Sequence, residues 1–150
     1  MKTLFAYMAG CIDSDGYITV TKRSPSGGRT NPSYYPRVGI NQTDPIVPEL
    51  FRATFGGHIH RHVPKNPGHK PWFIWQAEGP KAAVALRKLK PFLRLKQVQA
   101  EHAINLAKRI TRKAGNQPHG PNEIEERERI WRAVVGLNQP RNRRVHLTPP

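Results

Sequence analysis

Asp13 and Asp15 flank Ser14 at the end of an apolar stretch, in a chain with only ten acidic residues against 25 Lys and Arg. The residues before them, Leu4 to Cys11, read as a short helix whose spaced small residues Ala6, Ala9 and Gly10 leave one side almost bare. Gly10 costs such a helix roughly 1 kcal/mol relative to Ala, and close backbone approach by another helix is the usual return. The carboxylates fall at the negative end of the helix dipole, where they are unfavourable by a few tenths of a kcal/mol. That placement points to a hard cation held by oxygen ligands. Divalent ions clamped between two carboxylates can hydrolyse a phosphodiester: they supply a nucleophilic water, neutralise the phosphate and stabilise the leaving oxygen. Gly16 reads as the helix stop.

Composition narrows the substrate. At 150 residues the chain is one domain, with a net charge of +15. Such a charge calls for a polyanionic partner, and nucleic acid fits better than a membrane because no long apolar run or basic amphipathic anchor stands out. One cysteine excludes an intrachain disulfide and fits a reducing compartment. The short apolar run near the N-terminus is interrupted by Asp13 and Asp15, so it reads as part of the mature fold. An intracellular, non-secreted protein is expected, in the cytoplasm of a prokaryote or in an organelle.

The elements that must position the carboxylates follow from periodicity. Residues 17–23 alternate, with Ile18 and Val20 inward and Tyr17, Thr19, Thr21 and Arg23 outward. A Gly-, Pro- and Ser-rich loop carrying Arg29 follows, then residues 34–42 resume with Val38 and Ile40 inward and Arg37, Gly39 and Asn41 outward. Thr43 or Asp44 can cap a helix to about Phe55 that buries Ile46, Leu50 and Phe51 or Phe55. Residues 58–63 form a third strand, with Ile59 and Val63 opposite three histidines. The fourth, 71–77, is too apolar for its faces to be told apart. Helices over 80–90, 95–112 (Val98, Ala103, Ile104 and Leu106 apolar) and 123–137 follow, the last burying Ile124, Ile130, Trp131, Val134 and Val135. The expected class is α+β: a domain over 1–137 and a basic, Pro-rich, flexible tail over 138–150.

Met8 to Gly16, MAGCIDSDG, resembles the LAGLIDADG signature of homing endonucleases, with Met8, Cys11 and Ser14 replacing its Leu, Leu and Ala. Pro91 to Gln97 is similar to the PFLxLKxxQ segment of the single-motif branch. The resemblance spans about residues 4–112 and contains one copy of the motif. It implies an αββαββα domain whose curved antiparallel sheet saddles DNA, acting as a homodimer joined through Ala6, Ala9, Gly10 and Asp13. It further implies Asp15 as metal ligand, the backbone carbonyl of Ser14 as a second ligand, and Asp13 in helix capping and interface structure. Gln42 matches a residue that orders water at the metal, and Lys96 one that can stabilise phosphate charge. Mg²⁺ is the expected cofactor, with Mn²⁺ able to substitute. A basic residue that some relatives place after the second strand is absent here, where Pro45, Ile46 and Val47 stand, and Arg61 is the candidate replacement.

A polar, basic sheet face can lie along a groove and present alternating side chains to base edges. The expected DNA contacts are Thr19, Thr21, Arg23, Arg37, Asn41, His58, His60, Arg61 and His62. Lys22, Arg29, Lys65, Lys70, Arg141, Arg143 and Arg144 are expected on phosphates, making binding steeply salt-dependent. The three histidines could share a transition metal, but no Cys or carboxylate lies near in sequence, so groove contact is preferred. Of Trp72 and Trp75, at least one is expected in the core.

The resemblance implies a site-specific endonuclease hosted by an intron or an intein, the intron being favoured, that cuts both strands of a roughly two-fold target of about 20 base pairs. The alternatives are an intron-splicing maturase that binds RNA by phosphates and shape, or a non-cleaving DNA-binding regulator. A carboxylate pair centred on a basic surface argues for cleavage.

Overall fold

The computed structural model describes residues 1–111 and 119–140. Its elements run α1 (Lys2–Asp15), β1 (Gly16–Arg23), β2 (Ser33–Gln42), α2 (Ile46–Phe55), β3 (His58–His62), β4 (Trp72–Glu78), α3 (Gly79–Leu89), a 3₁₀ turn (Lys90–Phe92), α4 (Gln97–Thr111) and α5 (Pro121–Asn138). The strands form one antiparallel sheet in the order β1-β2-β4-β3, which leaves β1 and β3 at the edges. This is the expected α+β, αββαββα order with further helices after it. Of the tail expected over 138–150, Asn138 closes α5, while residues 141–150, with Arg141, Arg143 and Arg144, lie outside the described residues, as does most of the stretch between α4 and α5.

Period-two alternation sorts the sheet into two faces. Ile18, Val38, Ile40, Trp75 and Ala77 are buried on one face and join Met8, Ala9 and Ile12 of α1, Phe51 of α2, Leu86 and Leu89 of α3 and Ala100 and Ala103 of α4 in a single core. Burying each large apolar side chain is worth roughly 1.5–3 kcal/mol, which is why the helices collect on this face. A second cluster, Val20, Tyr34, Leu106, Ile130 and Val134, seats α5 against β1 and β2, and Asn138 ties the end of α5 to the Ile18 carbonyl at 2.9 Å. In β4, Trp75 takes the core position and donates its indole N–H to the Gly56 carbonyl at 2.8 Å, while Trp72 lies on the other face.

Four expectations need correcting. Helix α1 continues through Asp13 to Asp15 and does not end at Cys11. Gly16 leaves the helix in extended backbone, φ −94°, and not by a left-handed turn; glycine is required there because an added Cβ would lie 2.7 Å from the Ile12 Cα and 2.9 Å from the Gly39 carbonyl oxygen. Ile46 and Val98 are surface residues, 72% and 51% exposed, because Val47, Pro48 and Phe51 face the core in α2 and Gln99, Ala100 and Ala103 do so in α4. At the N-terminus of α2 the capping position is Pro45, and Asp44 just ahead of it accepts the Ile46 N–H at 2.8 Å.

Lys22 is the fourth correction. It faces the helix side of β1, where its ammonium donates to Glu128 of α5 at 2.7 Å and sits 4.8 Å from the Trp131 ring centroid. It therefore braces α5 and is not placed for phosphate. Arg132 donates to the same carboxylate at 3.1 Å, and the Tyr34 hydroxyl also donates to it. The Lys22 bond first, then those of Tyr34 and Arg132, hold the Glu128 carboxyl at about 2, below its ordinary 4.5, against the opposing effect of burial. A carboxyl depressed in the folded state contributes its stabilisation above the unfolded value and loses it as pH falls through the folded one. Thermal melting of the wild type should therefore exceed that of Glu128→Gln at neutral pH, with the gap closing between pH 4.5 and about 2. Parallel melting curves would show that the cluster adds nothing.

Candidate active site and nucleic-acid interface

The direct passage from α1 into β1 puts the last helical turn beside the end of β2. Asp15, exposed at that turn, accepts the Gln42 side-chain amide at 2.9 Å and the Ser14 hydroxyl at 3.2 Å, both on Oδ2. The Ser14 hydroxyl also lies 3.2 Å from the Cys11 carbonyl. Residues 27 positions apart in sequence thus meet, and the amide dipole of Gln42 fixes the orientation of the carboxylate.

The neighbouring Asp13 turns the other way. Its two oxygens accept the backbone N–H groups of Arg94, at 2.7 Å, and Lys96, at 3.1 Å, just ahead of α4. In return the Lys96 ammonium donates to the carbonyls of Ile12 and Asp13 at 2.6 and 2.7 Å. A cation on the last carbonyls of α1 opposes the negative end of its dipole, which explains how that end tolerates two carboxylates. Asp13 is thus a capping residue for the chain entering α4, and Lys96 stands against the last turn of α1, the turn that carries Asp15.

The exposed side of α1 carries Thr3, Ala6, Tyr7 and Gly10. Tyr7 is 54% exposed, whereas Ala9 is fully buried in the protomer core. Of the small residues expected at an interface, Ala6 and Gly10 are therefore available and Ala9 is not. A Cβ on Gly10 would meet no described atom within 4 Å, so nothing described within one protomer requires glycine there.

The register defines the opposite face of the sheet. Thr19 pairs with Arg37 and Arg37 with Glu78; Tyr17 pairs with Gly39 and Gly39 with Gln76; Asn41 pairs with Ile74 and Ile74 with His60. This face therefore presents Thr19, Thr21, Arg23, Arg37, Asn41, His58, His60 and His62 together, as the strand phases required. His62 packs on Trp72 with ring centroids 4.0 Å apart. Tyr17 lies across Gly39, where an added Cβ would come within 2.5 Å of its ring, and its hydroxyl reaches Gln76 at 3.4 Å. Burial raises the Tyr17 phenol above its ordinary value, with the nearby Arg37 opposing. Arg29 is exposed in the loop between β1 and β2, and Lys65 and Lys70 in the loop between β3 and β4.

Arg61 does not join the histidines. It alternates onto the helix side, paired with Phe73, which in turn pairs with Gln42. Its Cα thus lies two strand spacings, about 10 Å, from that of Gln42, nearer the Asp15 end than the base-reading face. Glu78, which sequence reasoning passed over, lies between Arg23 and Arg37; only the register shows that it shares their face.

No protein-family model matches the sequence, and neither does any curated protein. Solved structures do match. The homing endonuclease I-CvuI, in complex with its target in the presence of calcium, aligns at TM-score 0.74 over 92% of this chain and 83% of its own, with 22% identity. The archaeal intron-encoded homing endonuclease I-Vdi141I, complexed with DNA, aligns at 0.72 over 91% and 84%, with 17% identity. The LAGLIDADG homing endonuclease I-SmaMI, bound to cleaved DNA, aligns at 0.61 over 93% of this chain and 44% of its own, with 16% identity.

The chain has the LAGLIDADG homing-endonuclease fold. Within that fold, the MAGCIDSDG segment covers the last two turns of α1 and the first residue of β1, and the PFLRLKQ segment forms the turn into α4 that Asp13 holds.

Proposed function

We propose that the chain is one half of a homodimeric, site-specific endonuclease that hydrolyses both strands of a long, roughly two-fold DNA target. The observation that carries this reading is the meeting of Asp15, Gln42 and the Lys96-capped helix end at one end of a sheet whose open face carries the basic and amide side chains. The intron-encoded origin of the chain is part of the same proposal and rests on the likeness to I-Vdi141I.

The donors at the site suit a hard divalent ion: an exposed carboxylate at a helix end, with backbone carbonyl oxygen beside it and no soft ligand required. Asp15 and the Ser14 carbonyl would hold Mg²⁺, or Mn²⁺ in its place. When bound, the ion lowers the pKa of a water and neutralises phosphate charge. Gln42 holds the Asp15 carboxylate in place and offers its carbonyl to orient water. Lys96 keeps a positive charge beside the scissile phosphate, and Arg61, on the Gln42 row, is the second basic group. Asp13 is taken up by the N–H groups of Arg94 and Lys96, so one protomer supplies a single site carboxylate, Asp15. A second copy packed on the Ala6 and Gly10 side of α1, with Asp13 bracing the helix end, would add the other. The match to under half of I-SmaMI supports a two-unit assembly.

The test is cleavage of a randomised, plasmid-borne duplex library. A discrete cut with Mg²⁺, and binding without cutting when Ca²⁺ replaces it, is the expected result. Tight duplex binding with no cutting in Mg²⁺ would overturn it in favour of a regulator. Weak duplex binding beside tight intron-RNA binding would overturn it in favour of a maturase.

A further inference from the structure

Of the ten acidic residues, Glu78 alone lies in a strand. It ends β4 on the open face, where a carboxylate repels the phosphates that the rest of the face attracts. Its contacts show what it does there. One oxygen engages the Nη2 of Arg37, its register partner on β2, and the other lies 3.5 Å from the Nη2 of Arg23 on β1. The Arg23 guanidinium also lies 4.6 Å from the centre of the Tyr35 ring, so it is held from two sides. Arg37 is part buried, and its Nε has no hydrogen-bond partner among the described residues. Glu78 thus holds Arg37 on the face and draws the more exposed Arg23 of the edge strand toward it before any DNA arrives.

We propose that Glu78 is a specificity-positioning residue that aims Arg23 and Arg37 at guanine edges in each half-site. The inference rests on the DNA-endonuclease reading above. Guanine offers two acceptors, O6 and N7, to a guanidinium fork. Glu78 holds each guanidinium through one nitrogen, which leaves the remaining donors for a base edge within reach, and guanine supplies two acceptors there. Swinging out to a phosphate, which can also take both prongs, breaks the Glu78 contact. Glu78 therefore lowers affinity for every sequence, but least for the matching one, and specificity is that difference. Arg37 is five residues from Gln42 on β2, or about 16 Å along the strand. At about 3.4 Å per base step, the base pairs so read lie roughly five from the cut.

The experiment compares the full-length wild type with Glu78→Gln, which keeps shape and removes charge, after both are shown to melt cooperatively at similar temperatures. Binding to non-cognate duplex is followed across salt in Ca²⁺, and base preference is read by sequencing cut and bound library members. Glu78→Gln is expected to bind non-cognate duplex about tenfold tighter at 0.1 M salt, with a salt slope steeper by about one. It should lose preference at one symmetric set of positions, roughly five base pairs from the cut, and keep it elsewhere. Glu78→Asp should restore part of that preference, and Glu78→Gln should change nothing further at those positions once Arg23 and Arg37 are both Gln. Unchanged preference at every position, or loss spread evenly over the site, would overturn the inference while leaving the endonuclease reading intact. If the wild type itself neither cuts nor prefers duplex DNA, the endonuclease reading fails and the inference with it.

Discussion

Asp15→Asn is expected to slow single-turnover DNA cleavage by about 10³-fold or more, as follows from losing several kcal/mol of metal-derived transition-state stabilisation. The substitution is close to isosteric. The oxygen of the introduced carboxamide can still accept the Gln42 amide, which donates at 2.9 Å in the wild type, so the fold should persist. Duplex binding in Ca²⁺ should be retained, because the base-reading face is a separate surface and removing a negative charge favours a polyanion. A quenched-flow cleavage measurement beside a gel shift separates the two effects. Cutting within tenfold of wild type would show that Asp15 does not hold the reactive ion.

Gly10→Leu is expected to have the second large effect, with opposite signs on stability and activity. A Cβ at Gly10 has no described atom within 4 Å beyond its own stretch of helix, and Leu is the better helix former by up to about 1 kcal/mol. The protomer should therefore melt higher. If the exposed side of α1 is where two copies meet, the same side chain holds the helices apart. The variant should then sediment as a monomer and lose cutting by about 100-fold or more, since each protomer supplies one carboxylate to a shared site. A Gly10→Leu protein that remains dimeric and active would place the interface elsewhere. Ala9 cannot serve this test, because it is buried in the protomer core, and enlarging it would strain the core by about 1–3 kcal/mol.

What the amino-acid sequence determined by itself was local. Alternation in 17–23 and 34–42 assigned the inward and outward side chains of β1 and β2, since successive side chains on a strand must point to opposite faces. The resemblance of the MAGCIDSDG and PFLRLKQ segments to homing-endonuclease motifs marked Asp15 and Lys96. Helix phases were less secure: Ile46 and Val98 look like core residues in a short window, yet each α-helix buried a neighbouring stripe because the sheet lies to one side of it. Alternation also required Arg61 to leave the histidine face, but only the register showed its alignment with Gln42.

The tertiary structure decided everything that depends on which distant segments touch. It placed Gln42 on Asp15, bound Asp13 and Lys96 reciprocally across the chain, drew Lys22 to Glu128 on α5, and set Glu78 between Arg23 and Arg37. The strand order β1-β2-β4-β3 that makes the last contact possible is a choice among pairings with the same local pattern. That choice is made by burial of the core that the sheet shares with α1 to α4 and of the second cluster that seats α5, and no stretch of the sequence contains it alone.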